Sequence, residues 1–511
     1  MTVARSAESV HAVVKAYDVR GVVGEQIDAA FVRDVGAAFA RLMRDSATRI
    51  VIGHDMRESS PDLAAAFAEG VLEQGLDVVH IGLASTDQLY FASGHLECPG
   101  AMFTASHNPA RYNGIKLCRA NALPVGQDTG LATISNELID GVPAGPGPRG
   151  TATEVDLLEA YAEFLRGLVD LGGIRPLKVA VDAGNGMGGH TVPAVLGAVP
   201  QLTIAPLYFE LDGSFPNHEA NPLDPKNLVD LQKYVRETGA DIGLAFDGDA
   251  DRCFVVDERG EPVSPSAVTA LVAERELAKE PGATIIHNLI TSQAVPELVT
   301  ELGGTPVRTR VGHSFIKQQM ASTGAIFGGE HSAHYYFRDF WGADSGMLAA
   351  LHVLAALGGS DGDEGGSSRN HEGPRGHRVE HSGSDGDEGG SSRNHEGPRG
   401  HRVEHSGSDG DGEKSRTMSE LASSYSTYAA SGEINSTVAD AQERTMAVVT
   451  AFEDRARSVD RLDGVTVRLP GQAWFNLRAS NTEPLLRLNV EARSQEEVDA
   501  LVTEILSIVR G

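Results

Sequence analysis

Arg49-Ile50-Val51-Ile52-Gly53-His54-Asp55 is a short apolar, β-branched run of the kind that forms a strand, and the helix signal just after it decides the fold class. Ser60-Pro61 supplies an N-cap and a first-turn proline, and a helix predicted over 62–74 stops at Gly75. Working outward, further strands are expected at 77–82 and 100–106. The same grammar returns at 178–182 (KVAVD), followed by a glycine-rich turn and a helix, and at 284–288 (TIIHN), with a helix from about Ser292. Three such βα-rich blocks, each of roughly 100 residues, imply mixed or parallel sheets covered by helices. The tail differs: a helix over 440–455, strands at 465–469, 474–478 and 485–490, and a helix over 495–509 make an α+β pattern. The expectation is α/β: three similar mixed-sheet domains, 1–147, 148–257 and 258–432, then a smaller C-terminal α+β domain, 433–511.

One segment stands apart. Residues 359–382 read GSDGDEGGSSRNHEGPRGHRVEHS, 383–406 repeat them letter for letter, and 407–411 begin a third copy. The unit holds no aromatic residue and a single large aliphatic one, Val379 in the first copy, so it buries too little surface to offset chain entropy. A disordered insert over 359–414 is expected, a passive tether rather than a solenoid. Its histidines (His371, His377, His381, His395, His401 and His405) lack an ordered frame that would converge them on a metal.

The chain has 511 residues, of which 41% are hydrophobic, enough for several cores. Against 43 Lys+Arg stand 71 Asp+Glu, a formal charge of −28. Nucleic acid and anionic membrane surfaces both ask for a basic face, so neither is an expected partner. Cys98, Cys118 and Cys253 are too scattered for a disulfide framework or a zinc cluster, which suits a reducing compartment. No signal peptide is read at the start and no membrane-spanning apolar stretch elsewhere, so a cytoplasmic location is expected.

The strongest local signal for chemistry is Phe246-Asp247-Gly248-Asp249-Ala250-Asp251-Arg252, directly after a strand-like run at 242–246. Three carboxylates on alternate positions of one tight loop repel one another unless a hard cation sits between them, and such oxygens suit Mg²⁺. Arg252 adds a permanently charged fork suited to phosphate. Asp247, Asp249, Asp251 and Glu258 also match ligand positions of a calcium EF-hand loop. However, Arg252 stands where that loop needs glycine, and the flanks read as strands.

Thr104-Ala105-Ser106-His107-Asn108-Pro109 follows another strand and places a serine hydroxyl at a strand's C-terminal end, where α/β folds open their crevices. Serine is a weak nucleophile and needs activation or prior modification. His107 and Lys116 are near in sequence and can handle protons or charge. Gly329-Glu330-His331-Ser332-Ala333-His334 offers a carboxylate, a hydroxyl and an imidazole to sugar hydroxyls. Arg478-Ala479-Ser480-Asn481-Thr482-Glu483-Pro484, between two strands, has the donors a phosphate dianion requires. Gly184-Asn185-Gly186-Met187-Gly188-Gly189 fits the dinucleotide fingerprint, but no acidic residue closes a second strand at the expected distance. A tight βα packing turn is the better reading.

Taken in series, the four clusters resemble those of the α-D-phosphohexomutases, above all the bacterial phosphomannomutases and phosphoglucomutases. Lys15-Ala16-Tyr17-Asp18-Val19-Arg20-Gly21 and Phe215-Pro216-Asn217-His218 add to the likeness, which covers the chain outside about 359–416. The resemblance implies a central cleft lined by all four domains. It implies that Ser106 carries a phosphoryl group and that Asp247, Asp249 and Asp251 hold Mg²⁺ together with a phosphoserine oxygen. It further implies that phosphoryl passes to a hexose phosphate through a hexose 1,6-bisphosphate, which also serves as activator. Arg478, Ser480, Asn481 and Thr482 match the family's phosphate clamp, and Glu330, Ser332 and His334 its sugar loop. Tyr17, Arg20 and His313 fall where the family lines its active site. Lys116, His334 and Arg20 are the candidates for general acid and base.

The chain departs from some relatives at His287-Asn288-Leu289-Ile290-Thr291-Ser292, where they place a cleft lysine. Its sugar loop reads Glu-His-Ser-Ala-His rather than the Glu-Gln-Ser-Gly-His of glucosamine-phosphate mutases, which favours mannose or glucose phosphates. The expected enzyme is a phosphomannomutase, with phosphoglucomutase and phosphoglucosamine mutase as alternatives and an aspartyl-phosphate sugar phosphatase using Asp247 as a remote one. A monomer or dimer is expected.

Overall fold

Leu177–Asp182 and Ile242–Phe246 are buried at almost every position, as strands are when helices cover both faces of their sheet. The computed structural model in which they are seen describes residues 2–359, 416–479 and 485–511. The repeat insert expected over 359–414 and the clamp residues Ser480, Asn481 and Thr482 lie outside the described residues, apart from Gly359.

The first three sheets share one winding. In the first, Arg49–His54 lies centrally, parallel to Asp77–Leu83 on one side and Gly100–Phe103 on the other. Tyr112–Cys118 returns antiparallel beside Gly100–Phe103. Leu177–Asp182, Leu202–Leu207, Ile242–Phe246 and Cys253–Asp257 take the corresponding places in the second sheet. Thr284–Asn288, Thr305–Thr309, Phe327–Gly329 and Tyr335–Phe337 take them in the third. Each sheet thus ends in a hairpin, and the three hairpin loops, 104–111, 247–252 and 330–334, are the serine, acidic and sugar loops of the sequence. The mixed-sheet expectation holds for all three.

Edge strands complete the sheets: Val19–Val22 and Ala152–Glu154 in the first, Pro262–Val263 in the second, Ala343–Asp344 in the third. The fourth sheet is wholly antiparallel, in the order Ala429–Thr437, Leu485–Ala492, Trp474–Ala479, Val465–Arg468, Ser458–Asp460. Helices Ala441–Phe452 and Gln495–Arg510 close its apolar face in a core of their own.

One continuous apolar core runs through the three α/β domains and fixes how their loops meet. At their junction Phe164 stacks on Trp341, with centroids 5.1 Å apart, and Phe91 lies 5.4 Å from Phe164. These rings come one from each domain. Asp87 sits at the same junction, buried, accepting hydrogen bonds from Tyr161 Oη and Ser345 Oγ, each at 2.7 Å. Among the described residues no helix is long and apolar enough to cross a membrane.

Candidate active site

Ser106 and Asp247, on hairpin loops of different sheets, touch. Ser106 Oγ lies 3.0 Å from Asp247 Oδ2 and 3.3 Å from His107 Nδ1. The serine holds a left-handed backbone, φ 50°, and its amide donates to Thr104 Oγ1 at 2.9 Å. Such a conformation is strained for a residue with a side chain and persists only where its surroundings dictate it. Here they do. Arg57, fully buried and paired with Asp55, donates to the carbonyls of Ser106, Asn108, Pro109 and Tyr112, which cages the whole loop. Arg20 spans the other side, donating to Asn108 Oδ1 at 2.5 Å, with its second Nη paired to Asp18.

The acidic loop is held as firmly. Asp247, Asp249 and Asp251 are buried, with one oxygen of each within 4.8 Å of the others. Thr86 reaches across from the first domain to bind Asp249 Oδ2 at 2.6 Å through its hydroxyl and the Asp249 carbonyl through its amide. Lys116, on the strand after the serine loop, bridges Asp249 Oδ2 at 2.7 Å and Asp251 Oδ2 at 2.6 Å. Arg252 Nε donates to Asp247 Oδ2 at 2.8 Å. The glycine-rich turn at 184–189 supports this loop from beneath: Met187 N–H donates to the Gly248 carbonyl, and a Cβ on Gly186 would sit 2.7 Å from that oxygen. It is therefore a packing turn, as its missing acidic partner implied.

Charge settles on these groups in opposite directions. Burial pushes Asp247 up to about 7, with Asp249 and Asp251 adding repulsion against the pull of Arg252. Burial also penalises the Asp249 carboxylate, but Lys116 outweighs it and holds this group below the ordinary range. Lys116 stays charged because two carboxylates overcome its own burial. Burial, with Arg252 and Arg20 nearby, drives His107 well down, so its ring is neutral at pH 7 and can accept the Ser106 proton.

The third hairpin loop closes on the same point. His334 Nδ1 is 3.0 Å from Asp344 Oδ2 and 3.9 Å from Asp251 Oδ1. Glu330 is buried and engaged within the protein: Oε1 accepts from Gly312 N–H and Asn288, Oε2 from Tyr336 Oη and Ser332 Oγ. In this state it shapes the loop that offers Ser332 and His334. Tyr17 meets Phe315 edge-on at 6.2 Å, which brings the first domain against the helix His313–Thr323. The side chain of His313 lies outside the described part. Arg478 Nη2 stands 3.6 Å from Glu433, which also pairs with Arg487 at 3.1 Å.

The family description "Phosphoglucomutase/phosphomannomutase, alpha/beta/alpha domain I" matches residues 11–140. Domains II and III of that family match 159–260 and 264–367, and its C-terminal domain matches 433–508. The chain belongs to the phosphoglucomutase/phosphomannomutase family. A phosphomannomutase of Escherichia coli is 37% identical over 97% of this chain and 98% of its own length. A protein of Xanthomonas campestris named "Phosphohexose mutases" is 36% identical over 97% of this chain and 99% of its own. The crystal structure of a phosphoglucomutase/phosphomannomutase family protein from Burkholderia thailandensis superposes with a TM-score of 0.80 at 27% identity, covering 100% of this chain and 98% of that one. As a phosphohexomutase the enzyme moves a phosphoryl group within its substrate, an isomerisation.

The family uses a metal ion, and the acidic trio fits one. Oδ1 of Asp249 and Oδ1 of Asp251 are buried without a hydrogen-bond partner, and one oxygen from each of the three carboxylates lies within 4.8 Å of the others. Buried carboxylate oxygens in that state ask for a hard cation. Arg252 Nη2 is likewise buried and unpartnered, a donor free for an anion. Sequence reasoning missed Arg57, Thr86, Asp344 and Lys317. Only Lys317 left a trace: it lies on the apolar side of its helix, between Ile316 and Met320, where a lysine has no reason to be unless it is paired.

Proposed function

We propose that this phosphohexomutase is a phosphomannomutase that interconverts mannose 6-phosphate and mannose 1-phosphate through a phosphoserine at Ser106 and a hexose 1,6-bisphosphate. The observation that carries the reading is the 3.0 Å approach of Ser106 Oγ to Asp247. It sets a serine hydroxyl among three carboxylates, Lys116 and Arg252, the surroundings a transferring phosphoryl group requires. The near-full-length likeness to the phosphomannomutase of Escherichia coli supports mannose.

In the forward step the bond from phosphorus to Ser106 Oγ breaks as a bond from phosphorus to a sugar hydroxyl oxygen forms. The hydroxyl proton passes to a base, for which His334 is the candidate, and the departing Ser106 oxygen takes a proton from Lys116. Asp247, Asp249 and Asp251 would hold a divalent cation, with Mg²⁺ the natural fit to all-oxygen ligands, which would supply charge that offsets the phosphoryl oxygens. Lys116 and Arg252 supply the rest, and Arg20 braces the serine loop. The bisphosphate then turns over, so its other phosphoryl faces Ser106 and returns to it. Reorientation needs one site that grips the non-reacting phosphate in both poses, the role proposed for Tyr17, His313, Arg478, Ser480, Asn481 and Thr482. Glu330, Ser332 and His334 orient the sugar. Mannose and glucose agree at C3 and C4, so a loop gripping those hydroxyls separates them poorly, and glucose phosphates are expected as secondary substrates.

Comparing kcat/KM for mannose, glucose and glucosamine 1-phosphates tests this. Mannose highest, glucose within reach and glucosamine lowest is expected. Glucosamine highest overturns the assignment.

A further inference from the structure

Lys317 is a buried cation that the reaction scheme does not use. Its side chain is 5% exposed, with Nζ 2.8 Å from Asp344 Oδ1. The ammonium sits 4.1 Å over the ring of Tyr90, from the first domain, and 5.9 Å from that of Tyr336. The other oxygen of Asp344 is the one that meets His334 Nδ1 at 3.0 Å. One carboxylate thus joins a buried lysine to the imidazole at the mouth of the acidic loop.

Removing two charges from water is unfavourable, and apolar residues of the same size would fill this space at less cost. The pair is explained by what it does to the ring. Asp251 Oδ1 also approaches His334 Nδ1, at 3.9 Å, so two carboxylates crowd one nitrogen. Lys317 balances Asp344 from the far side, which leaves that carboxylate a steady acceptor. Because the lysine already supplies a cation there, the cluster of Asp251, His334 and Asp344, although its ligand atoms lie within 4.8 Å, reads as a hydrogen-bonded relay rather than a second metal site.

We propose that Lys317 and Asp344 are positioning residues that hold the His334 ring with its proton on Nδ1, and so present Nε2 to the substrate hydroxyl. A carboxylate on one ring nitrogen fixes both the tautomer and the orientation of the other. The proposal rests on His334 being the proton acceptor of the reaction.

Lys317→Met and Asp344→Asn, each made alone and in a His334→Gln background, test it with mannose 1-phosphate and catalytic bisphosphate. Each alone should lower kcat on the order of 10–100-fold, with KM changed by less than about 3-fold. In the His334→Gln background either change should cost less than about 2-fold more. Equal fractional losses in both backgrounds, or a raised KM with kcat kept, overturn the proposal while leaving His334 in its role. Full kcat in His334→Gln alone overturns the role and the proposal together. Asp344→Asn keeps the side-chain volume, so the comparison survives a Lys317 variant that does not fold.

Discussion

A Cβ on Gly248 would lie 2.4 Å from the carbonyl oxygen of Ser106. The serine loop of the first domain and the acidic loop of the second are in backbone contact, and no side chain fits between them. Gly248→Ala should therefore push the loops apart, costing about 1–3 kcal/mol of stability as overpacking does. It should lower kcat more than that loss of folded protein explains. Urea melts and single-turnover kinetics on the same preparation check both halves. A variant with full kcat would show that the approach is incidental.

Three buried carboxylates, two of them with an orphaned oxygen, are relieved by a cation, so Mg²⁺ should stabilise the protein apart from any turnover. At about 100 times its dissociation constant the gain is about 2.7 kcal/mol, read as a raised Tm. Asp249→Asn should reduce the gain, and chelation should abolish turnover reversibly. An unshifted Tm and full activity in chelator contradict the site.

Arg57 should matter to stability out of proportion to its distance from the chemistry. Its guanidinium satisfies three carbonyls of the serine loop, the Tyr112 carbonyl just after it and the buried Asp55. Arg57→Met strands that carboxylate and should cost about 3–5 kcal/mol, measured by denaturant unfolding. A change under about 1 kcal/mol would show that the loop holds itself.

His218 pairs with Asp182 at 3.0 Å beneath the glycine-rich turn. Burial lowers its pKa, but the hydrogen bond and charge of Asp182 outweigh burial and leave it raised in the folded protein. A raised imidazole contributes stability that is fully present below its unfolded value of about 6.5 and fades as pH climbs through the folded value. His218→Gln should accordingly lower Tm more at about pH 6 than at about pH 9. Equal losses at both would mean that the ring acts by packing alone.

How much of the fold and site is legible in the sequence depends on the range of the interaction. Strand and helix periods are local, so Thr284–Asn288 and Ile242–Phe246 are readable from their own residues. The chemistry-bearing loops are readable because three alternate carboxylates, or a serine at a strand end, are unusual in one short segment. Arg57 and Thr86 are not. Apart from Asp55 beside Arg57, their partners lie dozens of residues away, and an arginine in a loop or a threonine opening a helix has no local mark of burial. The internal engagement of Glu330 is hidden for the same reason, since Asn288 and Gly312 reach it from two other segments.

The direct test is to expose the purified enzyme to hexose 1,6-bisphosphate, digest it, and locate the phosphoryl group by mass spectrometry. One phosphoryl on Ser106, stable to acid and hydroxylamine, lost in base and absent from Ser106→Ala, is the expected result. A hydroxylamine-labile phosphoryl on Asp247, or rapid mannose-phosphate turnover by Ser106→Ala, would contradict it.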